Sequence, residues 1–108
     1  MANTFKNAYY DVTTSLAAAY TCPGSTTAIV LTLRITNVDG ANDATVSATV
    51  TDGSSGESYI AYTMTVPADS SIELAGTSKL VLETGDIVKL QASAASDLEA
   101  FISVLQIT

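Results

Sequence analysis

Apolar and polar residues alternate with a period of two along much of the chain, which is the pattern of β-strands with one buried face. The clearest example spans residues 29–36, where Ile29, Leu31, Leu33 and Ile35 alternate with Val30, Thr32, Arg34 and Thr36. Three further alternating sets are Val46, Ala48 and Val50; Ile60, Tyr62, Met64 and Val66; and Val88, Leu90 and Ala92. Each set predicts a strand that places those residues toward a core.

Turn-forming residues separate these segments. They lie at positions 23–25, 39–42, 52–56, 67–69 and 84–86, and they are rich in Gly, Pro, Asp, Asn and Ser. Strands spaced by about 10–15 residues are typical of sandwiches. The sequence therefore predicts an all-β fold, an antiparallel β-sandwich that is jelly-roll-like with about eight strands. Residues 13–108 are assigned to this sandwich domain, and residues 16–20 (Leu-Ala-Ala-Ala-Tyr) are predicted to be a strand despite their alanines.

The last segment, from Leu98 to Ile107, is apolar at both odd and even positions. A strand with this composition has both faces covered. It is predicted to be a central strand or one that a neighbour covers.

The first twelve residues have a different character. Phe5, Tyr9 and Tyr10 are three of the seven aromatic residues, and they lie outside the clearest alternating segments. Two hypotheses remain open for residues 1–12: an edge strand of the sandwich, or an arm that docks on another subunit. Under the second, these three aromatic residues are the candidate interface.

Composition narrows the classes of partner. The 108 residues make one domain, and they carry a formal charge of −7 with only four basic side chains. Such a surface repels phosphate backbones and anionic lipids, so neither nucleic acid nor a membrane is expected as a partner. The start of the chain has no apolar signal-peptide core, which leads us to expect synthesis and folding in a cytoplasm.

The sequence lacks the usual catalytic groups. Histidine is absent, which excludes Ser-His-Asp and Cys-His arrangements, and the single cysteine, Cys22, can form neither an intrachain disulfide nor a thiolate zinc site. The carboxylates at 97 and 99 and those at 39 and 43 are interpreted as solvated turn residues. The 39–43 turn has oxygens but not the spacing of an EF-hand calcium loop. No enzyme activity, cofactor or metal is therefore predicted.

The chain as a whole resembles a known group of proteins. The segments that carry this resemblance are residues 1–7 (Met-Ala-Asn-Thr-Phe-Lys-Asn), 20–30, 37–40 (Asn-Val-Asp-Gly), 65–71, 79–86 and 98–107, in that order. Together they resemble small β-sandwich virion structural proteins of tailed bacteriophages, notably those of cyanobacterial hosts. The resemblance implies a particle component on the capsid surface, or else in the neck, tail or fibre, and it implies no catalytic residues.

The favoured hypothesis is a capsid decoration or cement protein, made in the host cytoplasm and located in the virion. It would oligomerise, as a homotrimer, and stabilise the head by binding other virion proteins, above all the major capsid protein. The alternative is a tail, neck or fibre component with a host-surface or adaptor role. A carbohydrate-binding module is a third hypothesis, with little support because Tyr59 is the only aromatic residue on the outward register of a clear predicted strand.

Overall fold

The computed structural model describes residues 2–54, 56–75 and 79–108, and these residues form strands and no helix. The strands are β1 (Asn3–Asp11), β2 (Ala17–Thr21), β3 (Thr27–Asn37), β4 (Ala44–Thr51), β5 (Glu57–Val66), β6 (Ser71–Glu73), β7 (Leu80–Leu82), β8 (Ile87–Ala92) and β9 (Leu98–Ile107). Within these described ranges there is consequently no helix that could span a membrane.

The strands form two antiparallel sheets packed face to face. One has the order β1-β9-β3-β6, with β7 also paired to β3, and the other has the order β2-β8-β4-β5. Counting β6 and β7 as one interrupted strand gives eight strands in the order of a jelly roll. The predicted antiparallel, jelly-roll-like sandwich is confirmed. The final strand β9 lies between β1 and β3, so its prediction as a central strand is also confirmed.

The core between the sheets is aliphatic. Its largest fully buried side chains are leucine, isoleucine and valine, and no aromatic side chain of the described residues is buried. The biggest of them are Leu33, Ile35, Leu82, Leu90, Leu98 and Ile102. Residues such as Leu90, Ile102 and Val46 have no exposed surface at all. The aromatic rings of this chain are thus left at the rim or on the surface.

The alternation predicted for residues 29–36 is wrong in its first half. Pairing between β3 and β9 shifts by one residue between Val30 and Thr32, so Leu31 is an extra residue in a β-bulge. Because side chains alternate with a period of two, one extra residue exchanges the faces. Val30 is therefore buried, whereas Ile29 is half-buried and points away from the core.

The carboxylate of Glu73 fills the gap in hydrogen bonding beside this bulge. Strand β3 pairs with β7 before the bulge and with β6 after it. In between, Glu73 Oε2 accepts hydrogen bonds from the backbone N–H groups of Leu33 at 2.6 Å and Ala75 at 3.1 Å. Its other oxygen lies 3.9 Å from the Arg34 guanidinium. One side chain thus replaces part of the missing ladder.

The alternation predicted for residues 59–66 is wrong as well. Ala61 is buried, while Tyr62 and Met64 are exposed. The β4–β5 register shifts on both sides of Ala48, and Thr63 has a left-handed φ of 46°. The Thr63 N–H donates to Ser47 Oγ at 2.9 Å, which holds the irregular backbone in place. Two bulges in one strand abolish the simple period of two.

Residues 3–11 form an edge strand along β9. All nine residues of β1 pair with β9, from Asn3 opposite Ile107 to Asp11 opposite Glu99. The following residue, Val12, is only 2% exposed and donates its N–H to Leu98 O at 3.0 Å. Residues 2–12 are therefore tied to the sandwich by backbone hydrogen bonds.

Candidate interaction surfaces

A row of apolar side chains crosses the five-stranded sheet on the face turned away from the core. The strand registers place Phe5 opposite Leu105, Leu105 opposite Ile29, and Ile29 opposite Val81. Residues directly opposite in an antiparallel pair share a face, with Cβ atoms about 5 Å apart. Phe5 is 73% exposed and Val81 is 63% exposed, whereas the two central residues are half-buried. We call the outward side of the five-stranded sheet, which contains this four-residue row, the apolar outer face.

A second row on the same face contains two aromatic rings. Tyr9 lies opposite Phe101, with ring centroids 5.5 Å apart and planes at 48°, and Phe101 lies opposite Arg34. Tyr9 is 79% exposed, the highest value among the large hydrophobic residues described. The Arg34 side chain is held at the sheet by Ser71 Oγ, to which Nη1 donates at 2.9 Å.

The three aromatic residues predicted as an interface do not share one face. Phe5 and Tyr9 lie on the apolar outer face, whereas Tyr10 lies opposite Ala100 on the inner face and packs against the core. Odd and even positions of β1 point in opposite directions, so adjacent Tyr9 and Tyr10 must diverge. The structure adds Val81, far away in sequence, to the first two.

Charge is distributed unevenly over the apolar outer face. The rows formed by residues 3, 107 and 27, by 5, 105, 29 and 81, and by 7, 103 and 32 contain no charged residue. The row at the opposite end contains Asp11 and Glu99 side by side. A partner that covers these three rows therefore removes no charged side chain from water.

A second surface lies on the outer face of the four-stranded sheet along β5. The rings of Tyr59 and Tyr62 meet edge to face, with centroids 4.8 Å apart and planes at 74°, and they are 51% and 68% exposed. Tyr59 is therefore not the only outward aromatic residue, contrary to the sequence-based interpretation. The β5 bulge is the cause, because it turns Tyr62 to the same side as Tyr59.

A shallow depression of about 220 Å³ lies beside Thr63, the residue that follows Tyr62 in β5. Its lining residues are Thr45, Ser47, Thr63, Gln91, Ala92 and Ser93. All of them are uncharged, and five carry a hydroxyl or an amide. Among the described residues no group of three or more His, Cys, Asp or Glu side chains is placed to hold a metal ion.

Cys22 is buried beside the turn that precedes β3. It is 1% exposed, and its Sγ lies 3.3 Å from the carbonyl oxygen of Thr26 and 3.7 Å from that of Leu82. Burial raises the pKa of this thiol, because the interior disfavours the thiolate. A thiol that is both shielded and protonated is a poor nucleophile.

We predict that Cys22 of the folded protein resists alkylation. In iodoacetamide at pH 8 it should react at least about 1,000-fold more slowly than in the urea-unfolded chain, because reaction requires local opening. Mass spectrometry of a labelling time course measures both rates. A Cys22→Ala, Val38→Cys double variant is the control, since Val38 is 51% exposed and its replacement should label at the unfolded rate. Native labelling of Cys22 within about tenfold of the unfolded rate would contradict this prediction.

Comparison with known proteins gives similarity of fold. No family model matches the chain, and no curated protein matches it. A chain from Bacillus endospore appendages, described as a novel family of disulfide-linked pili, superposes with a TM-score of 0.58 at 16% identity, over 99% of this chain and 87% of that one. A chain from the acid-stable capsid of Helicobacter pylori bacteriophage KHP30 gives 0.56 at 15% identity, over 100% and 89%. A pentameric capsid protein from metagenomic phage sequences gives 0.47 at 21% identity, over 94% and 60%.

The strand order defines the class of the protein as a jelly-roll β-sandwich, and its fold is similar to those of a chain from a pilus and a chain from a phage capsid. At these identities the likeness concerns the fold, and function has to be argued from the surfaces.

Proposed function

We propose that this chain is a non-enzymatic structural subunit of a phage particle, and specifically a capsid decoration or cement protein. The observation that carries the proposal is the apolar outer face, on which the described residues leave Phe5, Tyr9 and Val81 more than half exposed. A second copy of the chain is the proposed occupant of this face. Contacts with the major capsid protein, made elsewhere on the oligomer, would fix it to the head.

The size of the exposed apolar area supports an interface. Phe and Tyr side chains have surfaces of 150–250 Å², so the exposed parts of Phe5 and Tyr9 together amount to about 300 Å². Val81 and the half-buried Leu105 and Ile29 extend this area along the same row. Apolar patches beyond a few hundred Å² on a small protein are typical of interaction sites. A standard interface covers about 800 Å² of each partner, with an apolar centre and a polar rim, which this face can provide.

The charge pattern allows a second copy as the occupant of this face. Two chains of charge −7 repel each other, so burial of further unpaired charge at their contact would be costly. The three uncharged rows avoid this cost, and in the row of Tyr9 the Arg34 guanidinium lies 3.9 Å from the Glu73 carboxylate, which offsets its charge. A three-fold arrangement could bring the uncharged rows of three copies together around its axis while the row containing Asp11 and Glu99 of each copy stays in solvent.

The pattern of β9 supports the same conclusion from the sequence. Residues 98–107 are apolar on both faces, as in a strand that is covered on both sides. The chain covers one side, with Ile102 and Val104 in the core, while Phe101 and Leu105 face outward. A neighbouring subunit would cover the outward side of β9.

Fold similarity to chains from a pilus and from a phage capsid is consistent with a role in an assembly. Association through the apolar outer face would be non-covalent, because the single cysteine, Cys22, is buried. The proposal includes location in the virion, synthesis in the host cytoplasm and a homotrimer as the oligomer. Nucleic acid is not proposed as a partner, because the chain is strongly acidic.

Two measurements test this function. Light scattering of the purified chain should give a mass of three times 11.1 kDa for the proposed trimer. Quantitative mass spectrometry of phage particles from the strain that carries the gene should give hundreds of copies per particle for a capsid protein, and on the order of a dozen for a tail or neck protein. A monomer at all concentrations, together with absence from the particles, would overturn the proposal.

The exposed Tyr59–Tyr62 pair favours one second candidate. Tyrosine is enriched at recognition surfaces because it offers an apolar ring and a polar hydroxyl. A tail, neck or fibre component that contacts a host surface could use such a pair. The copy number per particle separates this alternative from the decoration protein.

A further inference from the structure

We propose that the outer face of the four-stranded sheet beside β5 binds a neutral saccharide. The proposed site consists of the Tyr59–Tyr62 pair and the adjoining depression. It lies on the opposite sheet from the apolar outer face, so association of copies through that face leaves the site open.

The first argument is the backbone that brings the two rings together. Residues three apart in a regular strand point to opposite faces, and the bulge in β5 puts Tyr59 and Tyr62 on the same one. This arrangement requires Thr63 at φ 46°, a region that a β-branched residue rarely adopts. Strained residues of this kind cluster at binding sites, where the surrounding structure holds them. Here the Ser47 hydroxyl holds Thr63 through its N–H.

The second argument is the chemistry of the rings. The two rings pack edge to face, and exposures of 51% and 68% leave much of each tyrosine accessible to a ligand. The C–H-rich face of a sugar ring packs against an aromatic face and removes apolar surface from water. Because two faces stand at 74° to each other, they can contact one sugar residue from two directions.

The third argument is the set of polar groups in the depression. Ser47 Oγ accepts the N–H of Thr63, and Ser93 Oγ accepts the N–H of Thr45 at 2.9 Å, so each hydroxyl keeps its own proton to donate. Gln91 donates from its amide nitrogen to Thr14 O at 3.0 Å and keeps its side-chain oxygen as an acceptor. Such a mixture of donors and acceptors matches sugar hydroxyls, which both donate and accept.

The fourth argument concerns size and charge. The depression of about 220 Å³ is smaller than a typical pocket for a drug-sized molecule, and it can hold one sugar residue with neighbouring residues outside. None of its lining residues is charged. Lys89, opposite Thr49 in the same row as Tyr59, is the cation that the strand registers place on this face, and it lies outside the depression. The overall charge of −7 would oppose an anionic sugar or a phosphate. A neutral hexose chain fits these conditions best.

The site is tested by titrating ¹⁵N-labelled protein with neutral oligosaccharides: maltohexaose, cellohexaose, laminarihexaose, galactotetraose and chitotetraose. We expect at least one to bind with a Kd of about 1 mM. The amide signals of Tyr62, Thr63, Ser47 and Gln91 should shift in a saturable way. Shifts confined to other residues, or no saturable shift with any probe at about 10 mM, would overturn the proposal.

Variants provide the second arm of the test. Tyr62→Ala should weaken binding at least about tenfold, while Tyr62→Phe, which keeps the ring face, should weaken it much less. Val38→Ala is the control, because Val38 is an exposed apolar residue outside the site, and it should bind as the wild type does. Equal binding by Tyr62→Ala and the wild type would overturn the proposal. So would a result in which the tyrosine pair proves necessary only for contact with another protein.

Failure of this inference is distinguishable from failure of the structural role. Saccharide binding is read from the soluble chain, whereas the structural role is read from mass and from copies per particle. A trimer that binds no saccharide rejects this site alone, and a monomer that binds one rejects the oligomer alone.

Discussion

Replacing Asn37 with alanine should lower the free energy of unfolding by about 3 kcal/mol, because it leaves buried backbone groups without partners. Asn37 lies at the end of β3 and is 1% exposed. Its amide nitrogen donates to the carbonyl oxygens of Val66 and Asn42, both at 3.0 Å, and its side-chain oxygen accepts the N–H of Asp39 at 2.9 Å. One side chain thus joins the end of β3, the end of β5 and the turn between β3 and β4.

This loss should be a large fraction of the total free energy of unfolding. A domain of this size is stable by roughly 5–15 kcal/mol, so 3 kcal/mol is a substantial share. Val66 lies in the core, and its carbonyl oxygen has little chance of finding water once the amide is removed. Urea unfolding monitored by circular dichroism gives the free energy by linear extrapolation.

Asn42→Ala is the matched control for this experiment. Asn42 is an exposed asparagine in the same turn, and its amide makes one long hydrogen bond of 3.3 Å to Asp39 Oδ2. Its loss should cost less than about 1 kcal/mol. Equal effects of the two substitutions would show that Asn37 acts as an ordinary turn residue, contrary to the structure.

The Asp39 carboxylate completes this turn. It accepts the N–H groups of Ala41 at 2.8 Å and Asn42 at 3.3 Å. These backbone hydrogen bonds, with one from the Asn42 side chain, hold the pKa of Asp39 below its ordinary value of 3.8. The sequence analysis interprets the carboxylates at 39 and 43 as turn residues. In the structure, the Asp39 carboxylate holds such a turn through these hydrogen bonds.

The sequence predicts the fold class well, because period-two alternation and turn residues are local signals. It predicts β8 correctly, with Val88, Leu90 and Ala92 all buried. It fails where strand pairing decides the outcome. The extra residue Leu31 in β3 exists only relative to β9, and nothing in residues 29–36 marks it.

The candidate surfaces also contain residues that the local sequence predicts and residues that only strand pairing brings together. Clustering of aromatic residues near the N-terminus was enough to single out Phe5 and Tyr9. Val81 could not be found, because it joins Phe5 only through the registers of four strands that are distant in the chain. The sequence of β9 gives one indication of the rest of this face. Its residues are apolar on both sides, which predicts that the outward side is covered too, but the pattern does not identify the partner that covers it.

The role of residues 1–12 cannot be tested cleanly by deletion. That deletion would remove the β1–β9 ladder and the core residue Val12 along with the exposed rings. Loss of particle binding could then reflect unfolding. Substitutions at exposed positions of the apolar outer face separate the two effects.

Replacing both Phe5 and Val81 with glutamate should dissociate the proposed oligomer while leaving the fold intact. Both side chains are more than half exposed in the single chain, so the monomer should tolerate them within about 1 kcal/mol. In the oligomer each new carboxylate would lie in an uncharged row and lose its water. Loss of two apolar contacts together with burial of charge should raise the Kd at least about 100-fold, as for central interface residues.

Sedimentation velocity across a range of concentrations measures this Kd, and urea unfolding at low concentration checks the fold. Val38→Glu is the control, because it adds a carboxylate at a 51% exposed valine that belongs to neither of the apolar outer-face rows. It should assemble like the wild type. If the double variant assembles equally well, the apolar outer face is not the contact between copies. If the Val38→Glu variant also dissociates, added negative charge alone opposes assembly of this acidic chain. Dissociation of the double variant would then no longer identify the apolar outer face as the contact.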